Sequence, residues 1–318
     1  MSAAAIFLRA IYGRRTTRVL VILLTAAAVL VPFSGRGRAR LPAATETIAN
    51  LPDASLTVYT YWPECHDPGL LLVFHGTSRT AARYRDYARP LADRACLVVI
   101  APLFDKDRFP NWAYHRGGIV RGGSIRTPDQ WTTRLVAELV AWARQTVGRP
   151  DAPYYLFGHS AGGQFLSRVA AYSPPPEASR IVIANPSTYV LASATEPVPY
   201  GFGGLSERDP DAALRAYLAL PITIYLGADD TGDKNLTDNG PARRQGANRL
   251  ERGRATFAAA RQLADRNGWT FGWEIVEAPG IGHSARGMLQ SDQAGAAFGL
   301  AVPTASGVTA PASAFGGR

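Results

Sequence analysis

Short apolar runs alternate with helix-length amphipathic stretches along most of the chain. Runs at 56–61, 70–74, 97–101, 154–157, 181–184, 222–226 and 273–276 are almost continuously hydrophobic, as expected of strands buried on both faces. Thr127-Pro128-Asp129-Gln130 opens a predicted helix ending near 147. Leu135, Val136, Leu139, Val140 and Trp142 supply its apolar face and Gly148 stops it. A second long helix is predicted over 242–267, with Leu250, Phe257 and Ala264 at seven-residue spacing and Gly268 at its end. Residues 104–125, rich in Gly, Arg and aromatics without a regular period, predict an irregular loop near the functional site. The alternation as a whole predicts the α/β class, a mostly parallel central sheet with helices on both faces.

The ends of the chain break this pattern. With 318 residues the length suits one large domain with tails. The formal charge of +9 suggests nucleic acid until its placement is considered: seven arginines, Arg9, Arg14, Arg15, Arg18, Arg36, Arg38 and Arg40, precede the first acidic residue, Glu46, so the rest carries only two of the nine excess charges. No basic stripe interleaved with aromatics remains, and nucleic acid is not an expected partner. A basic stretch ending at Arg18 followed by the apolar run 19–33 reads as a targeting segment. Residues 1–45 are therefore expected to be a signal peptide or an N-terminal membrane anchor, the chain's only expected tie to a membrane, and the protein to be exported. Gly37-Arg38-Ala39 matches a cleavage site poorly, and Arg14-Arg15 is followed by Thr16-Thr17 where a twin-arginine signal has apolar residues. Cleavage and export route thus stay open. The domain is expected over 46–302, with a disordered Pro/Gly-rich tail over 303–318. Two cysteines, Cys65 and Cys96, fit either one bridge in an oxidising compartment or two separate buried residues. No metal-ligand spacing of Cys or His occurs, and no cofactor is expected.

Candidate chemistry centres on Gly158-His159-Ser160-Ala161-Gly162, between the predicted strand 154–157 and a helix-compatible stretch over 163–172. A serine on a sharp strand-to-helix turn needs small residues two positions away on each side, and the helix start directs free amides towards it. Serine is a weak nucleophile and requires a base. His66 and His115 come too early for the order nucleophile, acid, base; His159 reads as packing and His75 as loop-shaping. His283, in the glycine-rich Pro279-Gly280-Ile281-Gly282-His283-Ser284, remains. The acid that orients it is expected after the strand 222–226, in Gly227-Ala228-Asp229-Asp230-Thr231-Gly232-Asp233. Asp230, three residues past the glycine, is the choice and Asp229 the fallback. Amides of Ala161 and of Thr77, in His75-Gly76-Thr77-Ser78, are the expected oxyanion donors. Trp112, Tyr114, Trp131 and Tyr189 are further candidates for lining a substrate pocket, although core packing is the more frequent fate of such residues.

Together Phe74-His75-Gly76, Gly158-His159-Ser160-Ala161-Gly162-Gly163, Gly227-Ala228-Asp229-Asp230 and Gly280-Ile281-Gly282-His283 resemble the α/β-hydrolase superfamily, over roughly residues 55–300. Within it, the chain resembles secreted polyhydroxybutyrate-depolymerase-like and feruloyl-esterase-like enzymes. Ala184-Asn185-Pro186-Ser187-Thr188-Tyr189, followed by Pro199-Tyr200-Gly201, resembles a segment near their sites. The resemblance implies a single α/β-hydrolase domain and a serine hydrolase acting on a small-molecule or polymeric ester, with Ser160, Asp230 and His283 as triad. Polymer-degrading members commonly carry an added binding domain for which the tail after Val302 is too short, so a small ester is expected at least as much as a polymer. An acyltransferase would share every catalytic residue. A non-catalytic binding protein on the same scaffold is the reading furthest from the intact set of three. Oligomeric state is not legible.

Overall fold

A computed structural model describes residues 44–205 and 209–301. The expected leader, apart from Ala44 and Thr45, and the expected tail 303–318 lie outside the described residues. Among those described, the strands in chain order are β1 (Ala44–Asn50), β2 (Ser55–Tyr61), β3 (Gly69–Phe74), β4 (Leu97–Pro102), β5 (Val120–Arg121), β6 (Ser124–Ile125), β7 (Tyr154–His159), β8 (Arg180–Ala184), β9 (Ile222–Gly227) and β10 (Glu274–Ala278). The helices are α1 (Ala81–Ala95), α2 (Leu135–Val147), α3 (Ala161–Tyr172), α4 (Pro210–Ala219), α5 (Gly240–Arg243), α6 (Arg249–Asn267), α7 (Ala285–Gln290) and α8 (Ala294–Ala297). Eight strands form one sheet in the order β1-β2-β4-β3-β7-β8-β9-β10, parallel from β4 to β10 and antiparallel where β2 meets β1 and β4. This is the α/β architecture expected, and each predicted strand is present with ends shifted by at most two residues.

Strand β3 shows why continuous hydrophobicity marks the centre. Leu70, Leu72 and Phe74 pack on the face covered by α2, α3, α4 and α6, while Leu71 and Val73 pack on the face of α1, α7 and α8. Period-two alternation thus feeds two cores, and a polar residue at any of the five positions would be stranded in one of them. The antiparallel edge differs in the same terms. Strand β1 buries only Ala49 fully and leaves Ile48 51% exposed, so it carries too little apolar signal to be read from sequence.

Two predicted helices are interrupted. Residues 127–134 form two separate 3-10 turns, Pro128–Gln130 and Thr132–Arg134, because Trp131 between them is extended (φ −73°, ψ 136°); the regular helix starts only at Leu135. The helix predicted over 242–267 splits into α5 and α6 at Gly246, whose φ is +145°. Asn248 then restarts it by accepting from the Glu251 amide at 2.9 Å, while the Glu251 carboxylate accepts from the Ala247 amide at 2.9 Å, reciprocal capping of the first turn. Cys65 and Cys96 form a disulfide across 31 residues, a closure worth about 3–4 kcal/mol on a loop-entropy reckoning.

Strand β3 lies between β4 and β7. The chain leaves β3 through α1 to reach β4, then returns across the sheet through α2 to reach β7. That reversal opens a crevice at the carboxyl ends of β3 and β7, where ligands sit in open parallel sheets. Loops after β9 and β10 emerge at the same edge.

Candidate active site

Ser160 occupies the single residue between β7 and α3, with φ 58° and ψ −113°. A non-glycine residue there costs about 1–3 kcal/mol, which the surroundings must hold in place. They do so from three directions. The Ser160 amide donates to Ala184 O at 2.9 Å. A Cβ on Gly158 would lie 2.3 Å from Gly162 O, and one on Gly162 would lie 2.1 Å from Phe74 O, so the turn closes only with glycine on both sides. The motif is thus a geometric requirement of the turn.

His283 comes from the loop between β10 and α7. The turn at Gly280 (φ +70°) reverses the chain, and Ser284 caps α7 by accepting from the Gly287 amide at 3.0 Å. Asp229 N donates to Ile281 O at 3.0 Å and Ala228 N to Ala278 O at 2.9 Å, locking this loop to the one after β9. In that frame His283 Nε2 lies 3.0 Å from Ser160 Oγ, and Nδ1 lies 2.6 Å from Asp230 Oδ2. With the carboxylate accepting, Nδ1–H donates and Nε2 is free to accept the serine proton. Asp230 is 2% exposed, whereas its neighbour Asp229 is exposed. Three residues chosen from sequence therefore meet, and the fallback acid stays outside.

The sequence did not reveal Arg249. It opens α6, is 1% exposed, and places Nη1 3.4 Å from Asp230 Oδ1, on the side of the carboxylate away from His283. Its guanidinium also donates to Gly232 O at 3.3 Å and Lys234 O at 2.7 Å. Burial pushes Arg249 below the usual arginine range, and Asp230 opposes that shift. A buried carboxylate requires a counter-charge, but one arginine among many carries no sequence signal of the pairing.

The loop after β3 is fixed by His75, fully buried. Its Nε2 accepts from Phe104 N at 3.1 Å while Nδ1 contacts Gly76 O at 3.0 Å, and Tyr114 Oη donates to His75 O at 2.8 Å. Accepting at Nε2 requires a neutral ring, and burial pushes its pKa down to about 4. His75 thus shapes the loop, as expected of it, and Thr77 beyond it lines the same cleft as Ser160. Ala161, at the first position of α3, carries one of the amides without an acceptor in its own helix. His159 is buried under the site, its Nδ1 3.2 Å from Tyr84 Oη and its ring 4.6 Å from that of His283. Burial, then the electrostatic influence of His283 and Arg249, holds it well below the ordinary histidine range.

The cleft above Ser160 has a volume of about 320 Å³. None of Trp112, Tyr114, Trp131 and Tyr189 lines it. Tyr114, Trp131 and Tyr189 are core residues, and Trp112 lies over a separate depression beside Phe109. Asn185, from the segment noted above, braces the floor: its Oδ1 accepts from Gly227 N at 2.8 Å and its N donates to Tyr225 O at 3.1 Å.

No protein-family model matches the sequence, and no curated protein does. Solved structures do. The chain is 33% identical to LpqC, a poly(3-hydroxybutyrate) depolymerase from Bordetella parapertussis, with 83% of this chain and 93% of that one covered and a TM-score of 0.75. It is 32% identical to poly(aspartic acid) hydrolase-1 from Sphingomonas sp. KT-1, with 79% and 97% covered and a TM-score of 0.74. Similarity at that identity across nearly the whole of both relatives, together with the sheet order and the serine turn, makes this chain a hydrolase belonging to the α/β-hydrolase superfamily.

Proposed function

We propose that the protein is an exported serine esterase that cleaves carboxylic esters through an acyl-enzyme on Ser160. The observation that carries this is the continuous chain from Ser160 Oγ through His283 (3.0 Å) to buried Asp230 (2.6 Å). His283 Nε2 takes the Ser160 proton as Oγ attacks the acyl carbonyl, and the charge on the imidazolium is balanced by Asp230. Amides of Thr77 and Ala161 receive the developing oxyanion, worth roughly 3–4 kcal/mol per donor. The protonated Nε2 then gives its proton to the leaving alcohol. Water, deprotonated by the same nitrogen, attacks the acyl-enzyme and releases the acid and Ser160.

Relatives that act on poly(3-hydroxybutyrate) and poly(aspartic acid) support polymers of hydroxy or amino acids as the wider substrate field. An open cleft of this size accommodates a small ester or a chain end. Export is supported by the N-terminal targeting pattern and by the Cys65–Cys96 disulfide, since such bridges persist in oxidising compartments.

The test is hydrolysis of p-nitrophenyl esters from acetate to long acyl chains by protein lacking the first 43 residues, beside Ser160→Ala. The substitution should remove about 10⁶-fold of kcat, down to background. Equal rates from both proteins, or none from either, would overturn the esterase reading. Product analysis with an added acceptor alcohol separates hydrolysis from acyl transfer.

A further inference from the structure

The mechanism uses Ser160, His283 and two amides of the cleft, yet two cations also line it. Arg83 stands in the first turn of α1 and Arg286 in the first turn of α7. Both are exposed. One follows the Thr77 loop and the other follows His283, so each half of the catalytic apparatus carries one.

Neither has its charge neutralised. No aspartate or glutamate lines this cleft. Among the described residues neither arginine reaches a carboxylate, and Arg286 Nε donates instead to the neutral Oε1 of Gln290 at 3.2 Å. Arg85, two residues from Arg83 on the same helix, is by contrast paired with Asp86 at 2.8 Å. Two like charges without a counter-charge, in a concave site, set up a positive potential that concentrates anions. The wall offers little to a long aliphatic chain, since Ala285 and the rings of Tyr84 and Tyr87 are its main apolar surfaces. A carboxylate, in contrast, matches the planar fork of a guanidinium in a charge-assisted bidentate contact.

We propose that this cleft selects esters carrying a free carboxylate close to the scissile bond, gripped by Arg83 and Arg286. The proposal rests on the esterase reading and names its substrate class.

The test compares matched esters on the chain lacking residues 1–43. On the acyl side, mono-p-nitrophenyl adipate is set against p-nitrophenyl hexanoate; on the alcohol side, 3-carboxyphenyl butyrate against phenyl butyrate. Each rate is divided by the alkaline hydrolysis rate of the same ester. The unmodified protein should show a higher kcat/KM for the anionic member of at least one pair, which also assigns the side. That preference should fall as ionic strength rises. In Arg83→Gln and in Arg286→Gln the anionic-to-neutral ratio should drop about three- to fivefold, the scale of an exposed ion contact, and about tenfold or more in the double variant. Arg83→Glu should drop it further.

A ratio at or below one in both pairs, or a ratio indifferent to salt and to both substitutions, overturns the proposal while leaving the esterase intact. Absence of Ser160-dependent cleavage of any of the four esters overturns the esterase reading and the proposal with it.

Discussion

On the Nδ1 side of the His283 ring, Asp230 and Arg249 are 2% and 1% exposed and form an ion contact at 3.4 Å. On the Nε2 side, Arg83 and Arg286 are exposed in the cleft and pair with no carboxylate among the described residues. The same side chain therefore serves two opposite purposes. A desolvated guanidinium is committed: it cannot lose its partner without leaving a charge in a poorly polarisable interior. A solvated one contributes almost nothing to the fold and stays available to an incoming anion. Arg168 shows a third arrangement. Fully buried and, among the described residues, without a carboxylate, it donates to Pro199 O, Gln164 O, Thr188 O and Thr188 Oγ1, tying α3 to the segment under the site.

The sharpest way to break the comparison is to remove the carboxylate shared by the dry side. Asp230→Asn keeps the shape but presents an amide to Nδ1, favouring the wrong tautomer, and kcat on a p-nitrophenyl ester should fall about 10⁴-fold. Asp229→Asn, one residue away but exposed and without a hydrogen bond to His283 among the described residues, should stay within about twofold. Comparable losses in both variants would sink the assignment of Asp230.

Arg249→Leu asks whether the buried cation is part of the same unit. It strands Asp230 with His283 as its remaining polar neighbour, so urea unfolding should report a loss of about 3 kcal/mol. Arg249→Lys restores a charge but not the bonds to Gly232 O and Lys234 O, and should recover part of that loss. The Arg83 and Arg286 variants should shift unfolding by less than about 0.5 kcal/mol. If Arg249→Leu proved equally mild, the contrast between the two sides would collapse.

The meeting of Ser160, His283 and Asp230 was legible because the geometry of the serine turn imposes itself locally. Gly158 and Gly162 are demanded by contacts near 2 Å, the serine must follow a strand, and the strands are continuously apolar because both faces are covered. What escaped the sequence depends on long-range pairing or on single dihedral angles. Arg249 meets Asp230 across 19 residues, and nothing distinguishes it from Arg252 or Arg254 in the same helix. The breaks at Trp131 and Gly246 lie inside otherwise helical patterns. Strand β1 buries too little to leave a trace, and α1 carries Pro90 in its interior although Tyr84, Ala88, Leu91 and Ala92 form a regular buried stripe. Of the aromatic residues offered as pocket lining, Tyr114, Trp131 and Tyr189 were drawn inward because large apolar surface stabilises more in the core than in a cleft.

Acid separates the buried groups from the exposed ones with the smallest effect per step. His75, in the loop after β3, and His159, in the serine turn, are held neutral by burial, His75 with its pKa at about 4 and His159 well below its ordinary value. In the unfolded chain both return to about 6.5, so between that pH and about 4 the unfolded state binds more protons. Their contribution is complete above pH 6.5 and is lost as the pH falls through this window, by up to about 1.4 kcal/mol per pH unit for each histidine. Arg83 and Arg286 remain charged throughout and add nothing to this slope. Urea midpoints at pH 7.5, 6.5, 5.5 and 4.5 should therefore be level first and then fall. His75→Gln, which keeps an acceptor for Phe104 N but cannot titrate, should be less stable at neutral pH yet show a shallower fall. A flat profile in the parent, or an unchanged slope in the variant, would mean that water reaches these rings and that the interior behind the serine is not dry.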